Sequence, residues 1–368
     1  MSFLKKIIFF FMIIISICTG LAYAQESIID HKNTSSEKQI IYSQTLQEKR
    51  TYQVYLPSTY HDTQLQKTSY PVLYVLDAHI RFEEAITIVN LLHKTYPTIP
   101  EMIIVGIYNT DRTRDLTPTK VLASQSDYRN VENSGGAAHF QTFLTQELRN
   151  EINKTYRTNG YNILSGHSFG GLFGLNVLLT EPQAFNAYLL ADPSIWWDQG
   201  KWYQQLMNQW HKIHFKNTNV FIAKANNSVA KKNHFSKQFE GDFCADLKQD
   251  KPHNRLLRID CRNYPEDNHG TVPVPAMIDG LKFVFANKNF SIKRSSTDIN
   301  ALQQAYQQVS HQTGFMFQPQ ESVLILLEKW LATQQDKNND LKILLNYHLQ
   351  LYPKSPYAQK QMNEIQMR

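Results

Sequence analysis

The stretch Ile163-Leu-Ser-Gly-His-Ser-Phe-Gly-Gly-Leu-Phe-Gly174 decides how the rest of this chain is read. An apolar run leads into Gly166-His167-Ser168-Phe169-Gly170, and a second apolar, Gly-rich run leaves it. The pattern is G-x-S-x-G between a strand and a helix, the form of a nucleophile elbow. A serine at the tip of so sharp a turn needs an unusual backbone geometry. Small residues two positions before and after it let strand and helix approach closely. The hydroxyl of Ser168 is then expected to project above a sheet, at the positive end of the following helix. The backbone N–H of Phe169 is expected to face a developing oxyanion. The competing reading is an ordinary Gly-rich turn with an incidental serine; the flanking apolar runs favour the elbow.

Hydrophobic periodicity supplies the surroundings of this turn. Residues 39–46 and 50–57 alternate like two antiparallel strands joined by Gln47-Glu48-Lys49. Continuous apolar runs at 70–76 and 101–107 read as strands buried on both faces. Further strands are predicted over 187–191, 220–223 and 256–260, with helices over 82–94, 138–155, after the elbow, and over 277–286. Alternation of this kind predicts an α/β fold, a mostly parallel sheet with helices on both faces. Catalytic groups in such sheets lie beyond the carboxyl ends of the strands.

From about residue 290 the pattern becomes all-helical, with helices expected over 298–311, 321–333, 340–351 and 355–366. Ala301, Leu302, Ala305, Tyr306 and Val309 form one apolar face. A repeat array needs about three units to stand alone, so this segment is expected to dock on the main domain; it is also the candidate site for a protein partner. The domain reading is 1–24 leader, 25–288 catalytic domain and 289–368 helical extension.

Composition bounds the function classes. The 368 residues are 42% hydrophobic and 19% charged, as in a globular protein. Lys5 and Lys6, an apolar run over 7–17 and Ala22-Tyr23-Ala24 have the form of a cleaved secretory leader. The run is short for a spanning helix, and Ile17 before Cys18 argues against a lipoprotein cysteine. The expectation is an exported protein, periplasmic or secreted, with no stable membrane span after cleavage. Loss of Lys5 and Lys6 lowers the formal charge from +6 to +4. With no dense Lys/Arg run, a nucleic-acid partner is not expected. The mature chain keeps Cys244 and Cys261. Outside the cytoplasm, one disulfide between them is favoured over two free thiols. It would close a loop of about 16 residues and stabilise by roughly 3 kcal/mol on the chain-entropy model.

A serine nucleophile needs a base, and elbow folds order their groups Ser, acid, His. Glu266-Asp267-Asn268-His269-Gly270, a polar loop after a strand and before the closing helix, makes His269 the candidate base. His253, His211 and His214 are rivals, and His167 is read as shaping the elbow. The acid is harder to place. The loop after 220–223 carries no carboxylate before Glu240 and Asp242. Asp192, at the end of the strand after the elbow helix, is the first candidate, with Glu240 and Asp242 as rivals. A Ser–His dyad remains open, and Asp267 reads as a loop-shaping carboxylate. The second oxyanion donor is assigned to the N–H of Ala78 or His79.

Arg112, Trp196 and Trp197 are candidate substrate contacts. Arginine clamps carboxylates or phenolates, and the tryptophans would wall an acyl or aryl pocket. The alternatives are a loop-internal pairing of Arg112 or Arg114 with Asp115, and core packing for one tryptophan. No H-E-x-x-H, clustered C-x-x-C, P-loop or Rossmann glycine signature occurs, so neither metal nor cofactor is expected.

Taken together, five segments resemble the bacterial putative esterase family of α/β hydrolases, which includes esterase D and the siderophore esterases. They are Tyr70-Pro-Val-Leu-Tyr-Val-Leu-Asp77; Ile104-Val-Gly-Ile107 with Thr110-Asp-Arg-Thr-Arg-Asp-Leu-Thr-Pro118; Gly166-His-Ser-Phe-Gly-Gly171; Asp192-Pro-Ser-Ile-Trp-Trp197; and Asn268-His-Gly-Thr-Val272. The resemblance spans most of residues 39–288. It implies serine ester hydrolysis without a cofactor, acting on a small-molecule ester, with His269 at the family's histidine position. Leu351-Tyr-Pro-Lys-Ser355 resembles the end of a tetratricopeptide-like repeat, a tail some members carry. The chain departs from the family in lacking a carboxylate just after Ala223. That departure motivates a second reading, a weak or inactive hydrolase-fold binding or scaffold protein; within enzymes the rival is an acyltransferase, in which an alcohol replaces water.

Overall fold

The computed structural model describes residues 37–65, 68–94, 98–125, 130–226, 243–249, 256–285 and 297–366. Strand β1 (Gln39–Ser43) turns back through Gln47 into β2 (Glu48–Tyr55). Then follow β3 (Tyr70–Val75), α1 (Ala78–Lys94), β4 (Ile103–Ile107) and the short α2 (Arg112–Leu116). The next helical stretch is α3 (Ala137–Thr142), a π-helical segment Phe143–Leu148, and α4 (Arg149–Thr155). Strand β5 (Thr158–His167) leads into α5 (Phe169–Thr180). Beyond it lie β6 (Ala187–Ala191), α6 (Lys201–Trp210), β7 (Thr218–Ala225), α7 (Phe243–Gln249), β8 (Leu257–Tyr264) and α8 (Pro273–Phe285). Among the described residues, four helices follow: α9 (Ile299–Thr313), α10 (Glu321–Ala332), α11 (Asn338–Leu351) and α12 (Pro356–Gln366).

The strands form one eight-stranded sheet in the order β1-β2-β4-β3-β5-β6-β7-β8. The β1–β2 and β2–β4 pairs are antiparallel; every other pair is parallel. Alternation along the strands divides the core between two faces. Val72 and Tyr74 of β3 join Phe140, Phe173 and Trp197 on one face. Leu73 and Val75 join Ile86 of α1 and Leu281 of α8 on the other. The α/β fold expected from periodicity is therefore the fold observed.

Two helices differ from expectation. Helix α1 begins at Ala78 rather than 82, because Asp77, at φ 56°, turns the chain straight from β3 into the helix. The helix expected over 138–155 carries the π-helical segment in its middle.

Helix α9 runs along the main domain. Its Val309 and the following Phe317 enter the core face built by α1 and α8. The rings of Phe315 and Phe317 lie 5.2 and 5.1 Å from that of Tyr161. Gln320 brackets one peptide of the main domain: its Oε1 accepts from Glu101 N (2.8 Å) and its Nε2 donates to Glu101 O (3.1 Å). The disulfide Cys244–Cys261 joins α7 to β8, with a Cα–Cα distance of 5.4 Å. Among the described residues no helix is long and apolar enough to cross a membrane. The 1–24 segment expected to be a leader, His253, Glu240 and Asp242 lie outside the described residues.

Candidate active site

Ser168 sits between β5 and α5 at φ 61°, ψ −116°, a conformation L-residues rarely adopt. Three main-chain bonds hold it there. Its N–H donates to Ala191 O (3.0 Å), and its carbonyl accepts from Leu172 N (2.9 Å) and Ser194 N (3.1 Å). The turn closes only without a side chain at position 166, where a Cβ would lie 2.3 Å from the carbonyl oxygen of Gly170. Asp77 at the end of β3 and Asp192 at the end of β6 also have positive φ, 56° and 40°. All three strand ends therefore bend sharply at the same edge of the sheet. Aspartate tolerates this region better than most residues, because its short side chain bonds locally.

The sheet register brings two of these bends together. His167 pairs with Ala191 in the β5–β6 ladder, so Ser168 and Asp192 are the next residues on adjacent strands. Asp192 is buried, and its two oxygens are used separately. Oδ1 accepts from Ala225 N (3.1 Å), while Oδ2 lies 2.5 Å from Nδ1 of His269. His269 is carried on the loop between β8 and α8. Asn268 shapes that loop as its Oδ1 accepts from Gly270 N (2.8 Å) and Thr271 N (3.2 Å). The Asp267 carbonyl accepts from Asn226 N (2.7 Å), tying the loop to the end of β7.

His167 forms the other tie. Its Nε2 lies 2.8 Å from His269 O, and the two rings are 4.5 Å apart. A carbonyl only accepts, so Nε2 of His167 carries the proton. Burial, then the positive fields of His269 and Arg81, push the His167 pKa down to about 4. His167 is thus neutral near pH 7, and it anchors the histidine loop. Its place beside Ser168 in the chain points only to a role in shaping the elbow. The signal for this second role is tertiary.

The oxygen of the nucleophile has its own partner. Oγ of Ser168 is 3.1 Å from Oγ of Ser194, two residues beyond Asp192. Among the described residues that is the hydrogen bond of Ser168 Oγ; none joins it to His269. Such contacts often tighten only when substrate is bound.

Phe169 is the first residue of α5 and Ala78 the first of α1, so the candidate oxyanion donors both stand at helix N-termini. The Ala78 side is braced from below. Asp77 accepts from Arg112 Nε (2.7 Å), Arg112 Nη2 (2.9 Å) and Asn109 Nδ2 (2.6 Å). Burial pushes the Asp77 carboxyl up, but the bonds and charge of Arg112 outweigh it and hold the group below its usual range. Arg112 Nη2 also donates to His167 O (3.3 Å), and its guanidinium lies 5.3 Å from the Phe169 ring centre. The fork of Arg112 is thus committed to the β3 bend and the elbow. Arg114 and Asp115 pair with each other, with Glu48 and with Arg50, one layer farther away.

The two tryptophans part company. Trp197 is 1% exposed, and its indole N–H donates to Thr119 Oγ1 (3.0 Å). Trp196 is half-buried, 5.8 Å from the Phe169 ring. His79 is exposed beside the site, whereas His211 and His214 are exposed at the far end of α6.

This sheet order, with a serine elbow after β5 and a carboxylate–imidazole pair beyond the strand ends, defines an α/β hydrolase. The family model described as "Putative esterase" matches residues 43–263, and the chain belongs to that family. Among solved structures, the IroE-like serine hydrolase from Shewanella oneidensis is 31% identical with a TM-score of 0.72, covering 84% of this chain and 98% of that one. A ferri-bacillibactin esterase, BesA, of Bacillus subtilis is 36% identical over 166 residues, 41% of this chain and 56% of that protein. A siderophore enterobactin esterase of Emericella nidulans is 28% identical over 174 residues, 42% of this chain and 57% of its own length. The chain therefore spans little more than half the length of these two relatives.

Proposed function

We propose that this protein is an exported serine hydrolase that cleaves small-molecule carboxylic esters through an acyl-enzyme, siderophore-type esters foremost among them. The observation that carries the reading is the 2.5 Å contact between Asp192 and His269 on the strand end next to Ser168. Asp192 fixes the tautomer in which Nδ1 of His269 bears the proton, leaving Nε2 free to accept. His269 Nε2 takes the proton of Ser168 Oγ as that oxygen bonds to the ester carbonyl carbon. The carbonyl π pair moves onto oxygen, held by the N–H groups of Phe169 and of Ala78 or His79. Collapse breaks the C–O ester bond, and His269 protonates the leaving alkoxide. Water, activated by the same base, then releases the acid. The siderophore preference rests on what the named relatives act on; export rests on the N-terminal leader and the disulfide.

The test is fluorophosphonate labelling of the mature protein with Ser168→Ala as control, followed by turnover of short-chain, aryl and siderophore esters. Labelling that depends on Ser168, with hydrolysis of at least one ester class, is the expected result. An unlabelled protein with no Ser168-dependent turnover ends the reading. Export is checked separately by N-terminal sequencing, which should begin at Gln25.

A further inference from the structure

We propose that Ser194 is a further catalytic residue, whose hydroxyl donates to Oγ of Ser168 and shares the charge that builds there during attack. The inference rests on the esterase reading above. Its basis is the 3.1 Å contact between the two hydroxyl oxygens, at a position where Ser194 is 2% exposed. The Ser194 side of the contact is shielded from bulk water, while Ser168 stays partly open toward substrate.

Donor and acceptor accounting sets its direction. A serine hydroxyl has one proton and two lone pairs. In the attacking state the Ser168 proton points to His269, so Oγ of Ser168 can only accept from its other neighbours. Ser194 Oγ–H is the donor that remains. As the proton passes from Ser168 Oγ to His269 Nε2, one oxygen lone pair forms the bond to carbon and another keeps the bond from Ser194. Ser194 retains its own proton throughout. A fixed donor aimed at developing charge costs no reorganisation when the reaction occurs.

The surroundings hold this donor in place. The Ser194 backbone N–H donates to the carbonyl of Ser168 (3.1 Å), so main chain and side chain both join the two residues. The intervening Pro193 is packed on Gly171, where a Cβ would approach its Cα to 3.0 Å. The turn Asp192-Pro193-Ser194 thus serves both halves of the machinery. Its first residue holds the base, and its third holds the nucleophile.

The experiment compares Ser194→Ala with wild type in the mature protein. It reads the second-order rate of fluorophosphonate labelling, the kcat and KM for p-nitrophenyl acetate, and the acid limb of the pH–rate profile. Loss of the donor should lower both the labelling rate and kcat by about ten-fold or more, with KM little changed. The midpoint of the acid limb should stay in place, because Asp192 and His269 are untouched. A loss below about five-fold overturns the proposal. A midpoint shifted by about half a unit or more also overturns it, because the effect then runs through a displaced Asp192. Should Ser194→Ala fail to fold, Ser194→Cys, similar in shape with a weak donor, is held to the same thresholds. If the wild type itself neither labels nor turns over, the esterase reading falls first and this proposal with it.

Discussion

Oδ2 of Asp192 lies 2.5 Å from Nδ1 of His269, although the two residues are 77 positions apart in the chain. The carboxylate beside His269 therefore comes from the end of β6 rather than from the loop after β7, where an α/β hydrolase usually carries its acid. If this pair orients the base, Asp192→Asn should lower kcat by about 10²- to 10⁴-fold while labelling of Ser168 slows in parallel. The double variant Glu240→Gln/Asp242→Asn should keep wild-type kcat. Retained activity in Asp192→Asn, with loss in the double variant, would transfer the role to the β7 side.

His167 gives the protein an acid-sensitive joint. Its folded-state pKa of about 4 lies below the ordinary value of 6.5, so the unfolded chain binds the extra proton first. Stability contributed by neutral His167 is complete above pH 6.5 and is lost as pH falls from 6.5 toward 4. The melting temperature should drop across that window in wild type and drop less in His167→Gln. Equal pH dependence in the two proteins would show that His167 is not the group responsible.

Arg112 is expected to act on the oxyanion side through Asp77. Arg112→Ala strands a buried carboxylate and should cost about 2 kcal/mol, because the guanidinium is partly exposed. The Asp77 carboxyl is held low, so this contribution is present above the ordinary aspartate pKa and is lost as pH falls below it. The Ala78 and His79 N–H groups follow Asp77 directly, so kcat should fall more than KM rises. A purely raised KM would mark Arg112 as a substrate clamp instead.

A second buried ionic cluster lies far from the site. His348 of α11 is enclosed, with Nδ1 2.9 Å from Glu328 Oε1 and Nε2 3.2 Å from Glu321 Oε1. Burial opposes its charge, but the two carboxylates outweigh burial and raise its pKa to about 9. The stabilisation is full below about pH 6.5 and fades as pH rises through 9. Burial, which disfavours charge on both partners, raises the pKa of Glu328. Protection of the amides in α10 and α11, taken relative to their intrinsic base-catalysed exchange rate, should weaken between pH 7 and 9.5. His348→Phe should remove that dependence, and an unchanged profile would place its origin elsewhere.

What the sequence alone determined is what local patterning can carry. Apolar runs such as 70–76 and 187–191 are strands because their own residues require burial on both faces, and each run appears in the sheet. The elbow is equally local, since Gly166, Ser168 and Gly170 constrain one another within five residues. The loop around His269 was legible from chain order and its polar, glycine-containing composition. The register of β5 against β6 decided what periodicity could not. By setting His167 opposite Ala191, it puts Ser168, Asp192 and Ser194 at one edge. Arg112 shows the same limit: its charge is visible in the chain, but its partner Asp77 is set by the neighbouring ends of β3 and β4. Periodicity reports which face of an element is buried, whereas the partner of a polar side chain depends on which strand ends the closed sheet brings together.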